Sequence, residues 1–418
     1  MDHGNNNTTV HSNEIKLHEL ESNGRIVKVN EYEIVCVLGK GQFGEVLLVE
    51  DDCKKRYAMK LLKRHNKRIK SNGRGLATNN DSDIIMNEVN IMKSLNHPHI
   101  VNLIAFMHDS SSSSNVYLVL DYVDTGPVMI VKGLTEFGTP KFICPVEGTV
   151  LGESRSCSLA AQIFDAMSYL HIHNIAHRDI KMDNILLDLD GNIRIADFGV
   201  SHSFEAVSDD HKAICTDTAG TFSFWSPEIL ADKDEGYDAF AADVWATGIV
   251  IWCFLFGELP YHSLDAESLF ESITQGIPKI PLRKSPECED ILSKMLTYDA
   301  DKRITFHELL KHIWITEHDA DQFSSDENVK VAMLWNSPSC NMKSKLTKLK
   351  SQASGMVTDR RNSLKIHKEE SIKMLSEKLK SVSEIQVSGN TEVAENINID
   401  VKKDNRAEKD NNGCCVII

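Results

Sequence analysis

This chain of 418 residues lacks, first, any excess of basic charge. Lys+Arg 46 against Asp+Glu 61 leaves a formal charge of −15, which argues against a nucleic-acid binder working through bulk electrostatics. A long apolar run is also missing: the longest, from Ile249 to Phe256, falls far short of the roughly 20 residues a bilayer span needs. The opening Met1-Asp2-His3-Gly4 has no apolar signal core, and no Gly follows Met1 directly, as a myristoylation pattern requires. Ten cysteines, at 36, 53, 144, 157, 215, 253, 288, 340, 414 and 415, show no metal-ligand spacing and read as free thiols of a reducing compartment. What is present, 41% hydrophobic and 26% charged residues, fits a soluble globular chain with polar appendages. Collagen-like, wholly disordered and polytopic membrane classes are excluded. The length accommodates one large two-lobed domain, or two modest ones, plus tails.

Residues 1–30 show no sustained period and read as a flexible leader. From Glu31 to about Ile315, β-prone runs such as Val46–Val49 and Val116–Leu120 alternate with turns and helical patterns. Ile163, Met167 and Leu170 mark one face of a helix ending near His173. Two looser stretches interrupt this region: 63–83, and a Gly/Pro-containing insertion over 126–158. After Thr316 the composition turns to Ser, Asp, Asn, Lys and Glu. The tail over 316–418 is expected to be mostly disordered, with one amphipathic helix carrying Ile372, Leu375 and Leu379.

Several motifs carry chemistry. Gly39-Lys40-Gly41-Gln42-Phe43-Gly44 has the spacing of a Rossmann dinucleotide turn, but that turn opens a helix, and here Glu45–Val49 continues as a strand. Two readings of the segment stay open: a glycine hairpin folded over a triphosphate, or an ordinary glycine turn. Lys60 ends the apolar strand Tyr57-Ala58-Met59-Lys60, and Glu88 follows on a helix whose apolar stripe is Val89, Met92 and Leu95. A lysine that holds α- and β-phosphates needs a carboxylate to fix its ammonium; singly, each also reads as a solvated surface charge. The decisive segment is His177-Arg178-Asp179-Ile180-Lys181-Met182-Asp183-Asn184, followed by Asp197-Phe198-Gly199. Asp179 suits the carboxylate that positions a hydroxyl and accepts its proton. Asn184 and Asp197 are hard oxygen ligands for Mg²⁺, and Lys181 can neutralise charge developing on a γ-phosphate. The strand Ile185–Leu187 and the turn Asp190-Gly191-Asn192 form a hairpin between the two metal ligands.

With these residues the chain resembles the eukaryotic protein kinases over roughly 31–315. The resemblance implies an α+β, bilobal fold, with a β-rich small lobe over about 31–120, an α-helical large lobe over about 121–315, and disordered tails. It implies ATP and Mg²⁺ as cofactors. By the same matching, Leu38, the Gly39–Gly44 loop, Val46, Ala58, Leu120, Asp121, Val123 and Leu186 line the nucleotide site, with Leu120 as gatekeeper and 121–123 as hinge. Met92, Leu103, His177 and Phe198 match the stacked spine of an active kinase. Ser226-Pro227-Glu228 closes the activation segment, with Ser in place of the usual Ala, and Arg303 matches the arginine that pairs with Glu228. Asp243-Val244-Trp245 opens the buried central helix of the large lobe, which accounts for the Ile249–Phe256 run. Counting back from Gly220-Thr221, the place of an activating phosphothreonine holds Asp217, flanked by Thr216 and Thr218; its carboxylate could pair with Arg178. Lys181 points to the serine/threonine class. Gly126-Pro127-Val128-Met129 and Cys253–Gly257 are similar to the calcium/calmodulin-dependent protein kinase kinases, which implies other kinases as protein substrates. Two departures stand beside this: 63–83 has that family's arginines but no proline, and the 126–158 insertion is longer than expected. The competing readings are a membrane-tethered scaffold with a kinase fold, and a sterile-20-like kinase of broader substrates.

Two features of the tail remain. Cys415-Val416-Ile417-Ile418 fits a prenylation tetrapeptide, with Cys414 as a second acylation site. The expectation is a cytoplasmic protein anchored by lipid to the cytoplasmic face of a membrane, the alternative being two unmodified cysteines. Residues 329–350 combine Trp335 with Lys343, Lys345, Lys348 and Lys350 as a possible calmodulin target. Asn336-Ser337-Pro338 interrupts that helix, so a solvated Lys-rich tail is the better reading.

Overall fold

A computed structural model of the chain describes residues 11–14, 18–20, 26–41, 44–63, 81–108, 115–205, 212–231, 236–263, 265–280 and 284–317. The short β-prone runs of the first third assemble into one eight-stranded sheet: β1 His11–Glu14, β2 His18–Leu20, β3 Ile26–Val29, β4 Tyr32–Gly41, β5 Gly44–Glu50, β6 Arg56–Lys63, β7 Leu103–His108 and β8 Asn115–Asp121. Their spatial order is β1-β7-β8-β6-β5-β4-β3-β2, antiparallel except for the β1–β7 pair. Alternation sets the two faces. Leu47, Val49, Met59, Leu61, Tyr117 and Val119 bury into one cluster, whereas Leu62, Val116 and Leu118 bury on the other side with Ile85, Val89 and Met92 of α1 (Asp81–Ser94).

The described segments among the first thirty residues, 11–14, 18–20 and 26–30, differ from the expected leader. β1 adds in parallel to the β7 edge, the β2–β3 hairpin extends the opposite edge, and Val29 is fully buried. Edge strands are held by main-chain pairing to partners already in place, so their side chains need not alternate and leave no period to read.

Beyond β8 the chain becomes mainly helical. A hairpin of β9 (Ile130–Leu134) and β10 (Pro140–Ile143) occupies the insertion. It precedes α2 (Glu153–Ile172), which starts within what looked like a loop. Three short antiparallel pairs follow: β11 (Ile175–Ala176) with β14 (His202–Ser203), β12 (Ile185–Leu187) with β13 (Ile193–Ile195), and β15 (Ile214–Cys215) with β16 (Tyr237–Asp238). α3 (Pro227–Leu230) precedes β16; α4 (Ala239–Phe256), α5 (Ala266–Thr274), α6 (Pro286–Met295), α7 (Phe306–Leu309) and α8 (Ile313–Thr316) complete the lobe.

α4 is apolar on every side. Its start is capped by the Asp238 side chain, which accepts from the Phe240 N–H, and its end by Gly257 in the left-handed region at φ 74°. By length and composition it could cross a membrane, yet 83% of the helix is buried by its own protein. Each fully buried Ile, Val or Phe there contributes about 1.5–3 kcal/mol relative to exposure, so α4 is the pillar on which α2 and α6 pack.

Candidate active site

The catalytic-loop segment 177–184 lies between β11 and β12, and buried groups hold its backbone. Asp243 is the one charged residue of α4, and its carboxylate is 2% exposed. Its Oδ2 accepts the His177 N–H at 2.9 Å and its Oδ1 the Arg178 N–H at 2.8 Å. Two orphan amides are satisfied at once, with Arg178 at φ 67°. The motif reading put Asp243 in a helix without giving it this task. A single acid inside an apolar stretch was the signal available for it.

Asp179 therefore projects from a fixed turn. Its Oδ2 lies 2.9 Å from Lys181 Nζ and 3.1 Å from Asn184 Nδ2, which also donates to the Asp179 carbonyl at 2.8 Å. Its Oδ1 accepts the Thr221 hydroxyl at 3.0 Å, and Lys181 donates to the same hydroxyl at 3.0 Å. Thr221 comes within reach because Gly220, at φ 85°, lays its backbone against the Arg178 carbonyl, where a Cβ would collide.

On the other side of the cleft, Lys60 of β6 meets Glu88 of α1 at 2.6 Å and Asp197 at 2.7 Å. Burial alone would lower the Lys60 pKa, but the two carboxylates outweigh it and hold the ammonium well above the ordinary lysine value. Burial alone would likewise raise Asp197; Lys60 outweighs it and keeps that carboxyl below the usual range. Asp197 itself sits at φ 66°. Phe198 is fully buried, 5.0 Å ring to ring from the buried His177, and Met92 and Leu103 belong to the same core.

The proposed nucleotide walls converge in register. Val46 pairs opposite Lys60, and Ala58 opposite Leu120. Val46, Ala58, Leu120 and Leu186 stay half-buried while neighbours such as Leu47, Met59, Val119 and Leu187 are buried, as expected for side chains facing a cleft. Leu186 is bridged by Pro127 across the floor. Asp121 is tied to Asn102 through both side chain (2.8 Å) and backbone (3.1 Å), and Val123 is buried. Leu38 is exposed on β4; Gly39, Lys40 and Gly41 pair with Val46, Glu45 and Gly44 to form the roof hairpin. Gln42 and Phe43 at its tip lie outside the described residues.

The donor set fits a Mg²⁺–nucleotide. Asn184 uses its amide nitrogen on Asp179, leaving the amide oxygen, and the Asp197 carboxylate remains partly exposed beside Lys60. Among the described residues no group of three or more His, Cys, Asp or Glu is placed to hold a metal alone. Mg²⁺ is held by one or two protein oxygens together with phosphates, so this sparse set is the appropriate one.

Around the activation segment, the Arg178 side chain is 5% exposed. It meets the Asp217 carboxylate at 2.8 Å and the Asp217 carbonyl at 2.6 Å, and it donates to the Tyr237 hydroxyl at 3.2 Å. Tyr237, pushed up to about 12 by burial, in turn donates to the Asp217 carbonyl; the motifs gave no sign of it. Thr216 and Thr218 flank Asp217 and are exposed. Farther out, Arg303 grips Glu228 through two bonds of 2.6 and 2.9 Å and lies over the Trp245 ring. Ser226 is fully buried. Cys414, Cys415 and the 329–350 segment lie outside the described residues.

Residues 32–315 match the protein kinase domain family. The serine/threonine-protein kinase TOS3 of Saccharomyces cerevisiae is 31% identical over 304 residues, covering 68% of this chain and 53% of that protein. Aurora kinase of Dictyostelium discoideum is 31% identical over 292 residues, 69% of this chain and 67% of its own. A calcium/calmodulin-dependent protein kinase kinase of Caenorhabditis elegans is 29% identical over 319 residues, 72% of this chain and 55% of its own. The chain thus spans about half the length of the first and third of these relatives.

Proposed function

Because this chain belongs to the protein kinase family, we propose that it transfers the γ-phosphoryl group of ATP to serine or threonine hydroxyls of proteins. The observation that carries the reading is the Asp179 carboxylate, held by Lys181, Asn184 and Thr221 on the floor of a cleft whose other wall bears the Lys60–Glu88 pair. Asp179 orients the acceptor hydroxyl and takes up its proton as the oxygen attacks. Lys181 stands beside it to offset negative charge on the transferred group, and Lys60 holds the nucleotide phosphates while Glu88 holds Lys60. Asn184 and Asp197 would hold Mg²⁺, which when bound neutralises phosphate charge. An Asp179→Ala protein that keeps its fold and still phosphorylates a generic protein substrate at the normal rate would overturn this assignment.

We further propose that its substrates are other kinases, phosphorylated on their activation segments. Support comes from the Gly126-Pro127-Val128-Met129 sequence and the likeness to the worm kinase kinase. Purified, catalytically dead kinases offered as substrates test it: incorporation confined to activation-segment threonines is expected, and indiscriminate incorporation favours the broader sterile-20-like reading. On sequence alone, we propose that Cys415 carries a prenyl group and Cys414 a second lipid. Membrane fractionation of Cys415→Ser, expected wholly in the soluble fraction, tests this.

A further inference from the structure

Among the described residues, Ile130, Val131, Leu134 and Phe137 are 40%, 49%, 51% and 58% exposed within eight positions of the β9–β10 hairpin. Single exposed apolar side chains are ordinary, but a cluster of four calls for a partner. All five residues of β9 are exposed, and its ladder runs on one side only, to β10. The outer side of β10 is closed: Lys141 bridges to Glu258, and the Phe142 N–H bonds the Gly257 carbonyl at 2.6 Å. Buried Thr139 bonds His262 at 2.9 Å, and the Phe137 ring packs tilted against that histidine, 4.8 Å between ring centres. The hairpin is therefore clamped to the end of α4, with one strand edge presented outward.

We infer that β9 is a docking edge for an extended segment of the protein substrate, apolar and carrying a carboxylate near its middle. Free main-chain groups on a fixed edge are completed by an added strand, and the flanking apolar side chains bury against it. The charge follows from Lys132, at the centre of β9: it is exposed, stands at the bulge of the β9–β10 ladder with no cross-strand partner, and forms no ion pair among the described residues. Lys141 on the neighbouring strand lies opposite Glu258 and adds little, and the hairpin's sole acid, Glu136, lies in the turn. A second copy of the chain fits poorly, because antiparallel self-pairing about the centre of β9 sets Lys132 against Lys132. Position ties the edge to the reaction. β9 begins just after Pro127, which bridges Leu186, and the Gly126 carbonyl accepts the Leu187 N–H at 2.8 Å. A segment on β9 is thereby tethered beside the cleft floor, raising the local concentration of an acceptor joined to it. The inference rests on the kinase reading above.

The test uses the full chain and a synthetic peptide of alternating Thr and Val with one central Glu. Bound peptide should slow amide hydrogen exchange across 130–134 by about tenfold. Lys132→Glu should weaken binding about threefold, the scale of an exposed ion pair, and a peptide with central Lys should recover that loss on the variant. Joined through a flexible linker to a Ser/Thr acceptor peptide, the segment should lower KM about fivefold at unchanged kcat in the wild type but not in Lys132→Glu. Equal binding by a backbone N-methylated peptide, no protection of 130–134, or protection that appears without peptide and grows with protein concentration would each overturn the proposal. Asp179→Ala separates the two readings, since it should abolish transfer and leave peptide binding intact.

Discussion

The floor and the roof of the cleft are built on opposite terms. On the floor, Asp179, Arg178 and Lys181 each have at least two side-chain or main-chain partners, and Arg178 is nearly sealed from solvent. The roof is a glycine hairpin whose cross-pairing is almost wholly backbone, and its ion pair, Lys40–Glu45 at 2.8 Å, is solvent-exposed on the lysine side. The contrast reflects what each must do. Main-chain N–H groups can cover phosphates without any particular side chain, whereas proton acceptance and charge neutralisation require given atoms in given places.

If that division is right, the largest effect comes from the floor. Asp179→Ala should cut kcat by about a thousandfold with little change in KM for ATP, since a positioned proton acceptor contributes on that scale; a loss under tenfold in steady-state kinetics would break the contrast. Next is the support beneath the floor. Glu228→Ala leaves the buried Arg303 guanidinium with no carboxylate, only the carbonyls of Ala241, Thr297 and Tyr298, and should destabilise the protein by about 3 kcal/mol, read as a shifted urea midpoint.

Lys60→Met sharpens the comparison through pH. In the native protein Asp197 is depressed by Lys60, so its contribution to stability is present above the ordinary carboxylate pKa and fades as pH falls through the depressed value. Without Lys60 the main influence opposing burial is gone, so the depression of Asp197 weakens and its contribution to stability shrinks. The variant should then lose ground against the wild type as pH rises through the carboxylate range, measured by thermal melts between about pH 3 and 6. A constant difference would mean that the ion pair does not control Asp197.

A smaller effect is expected at Asp217. Its carboxylate already occupies Arg178, so activity should survive phosphatase treatment. Asp217→Ala should lower kcat/KM about tenfold, with Asp217→Glu partly restoring it. Phosphatase-sensitive activity, together with loss in Thr218→Ala, would make phosphorylation the switch instead. The roof should respond least: Lys40→Ala should change stability by less than about 0.5 kcal/mol, the worth of an exposed ion pair.

Much of the site was legible in the chain because its chemistry is local. The loop 177–184, the β12–β13 hairpin and Asp197 all fall within about twenty positions, and their residue types are dictated by proton transfer and hard-cation binding. The groups that hold this loop were not legible. Asp243 reaches His177 from 66 positions away and Tyr237 reaches Arg178 from 59, and neither separation leaves a pattern in the intervening sequence.

What the sequence determined by itself is therefore the reacting groups and the β-prone runs at 46–49 and 116–120 that become β5 and β8. Only tertiary structure decided where the sheet ends. The strands at 11–14 and 18–20 join its edges by main-chain pairing, a bond every residue can offer and which therefore selects no side chain. It also turned the insertion into a clamped hairpin with one edge outward, since Thr139 and Phe142 become fixed points only when His262 and Gly257 arrive from more than a hundred residues along the chain.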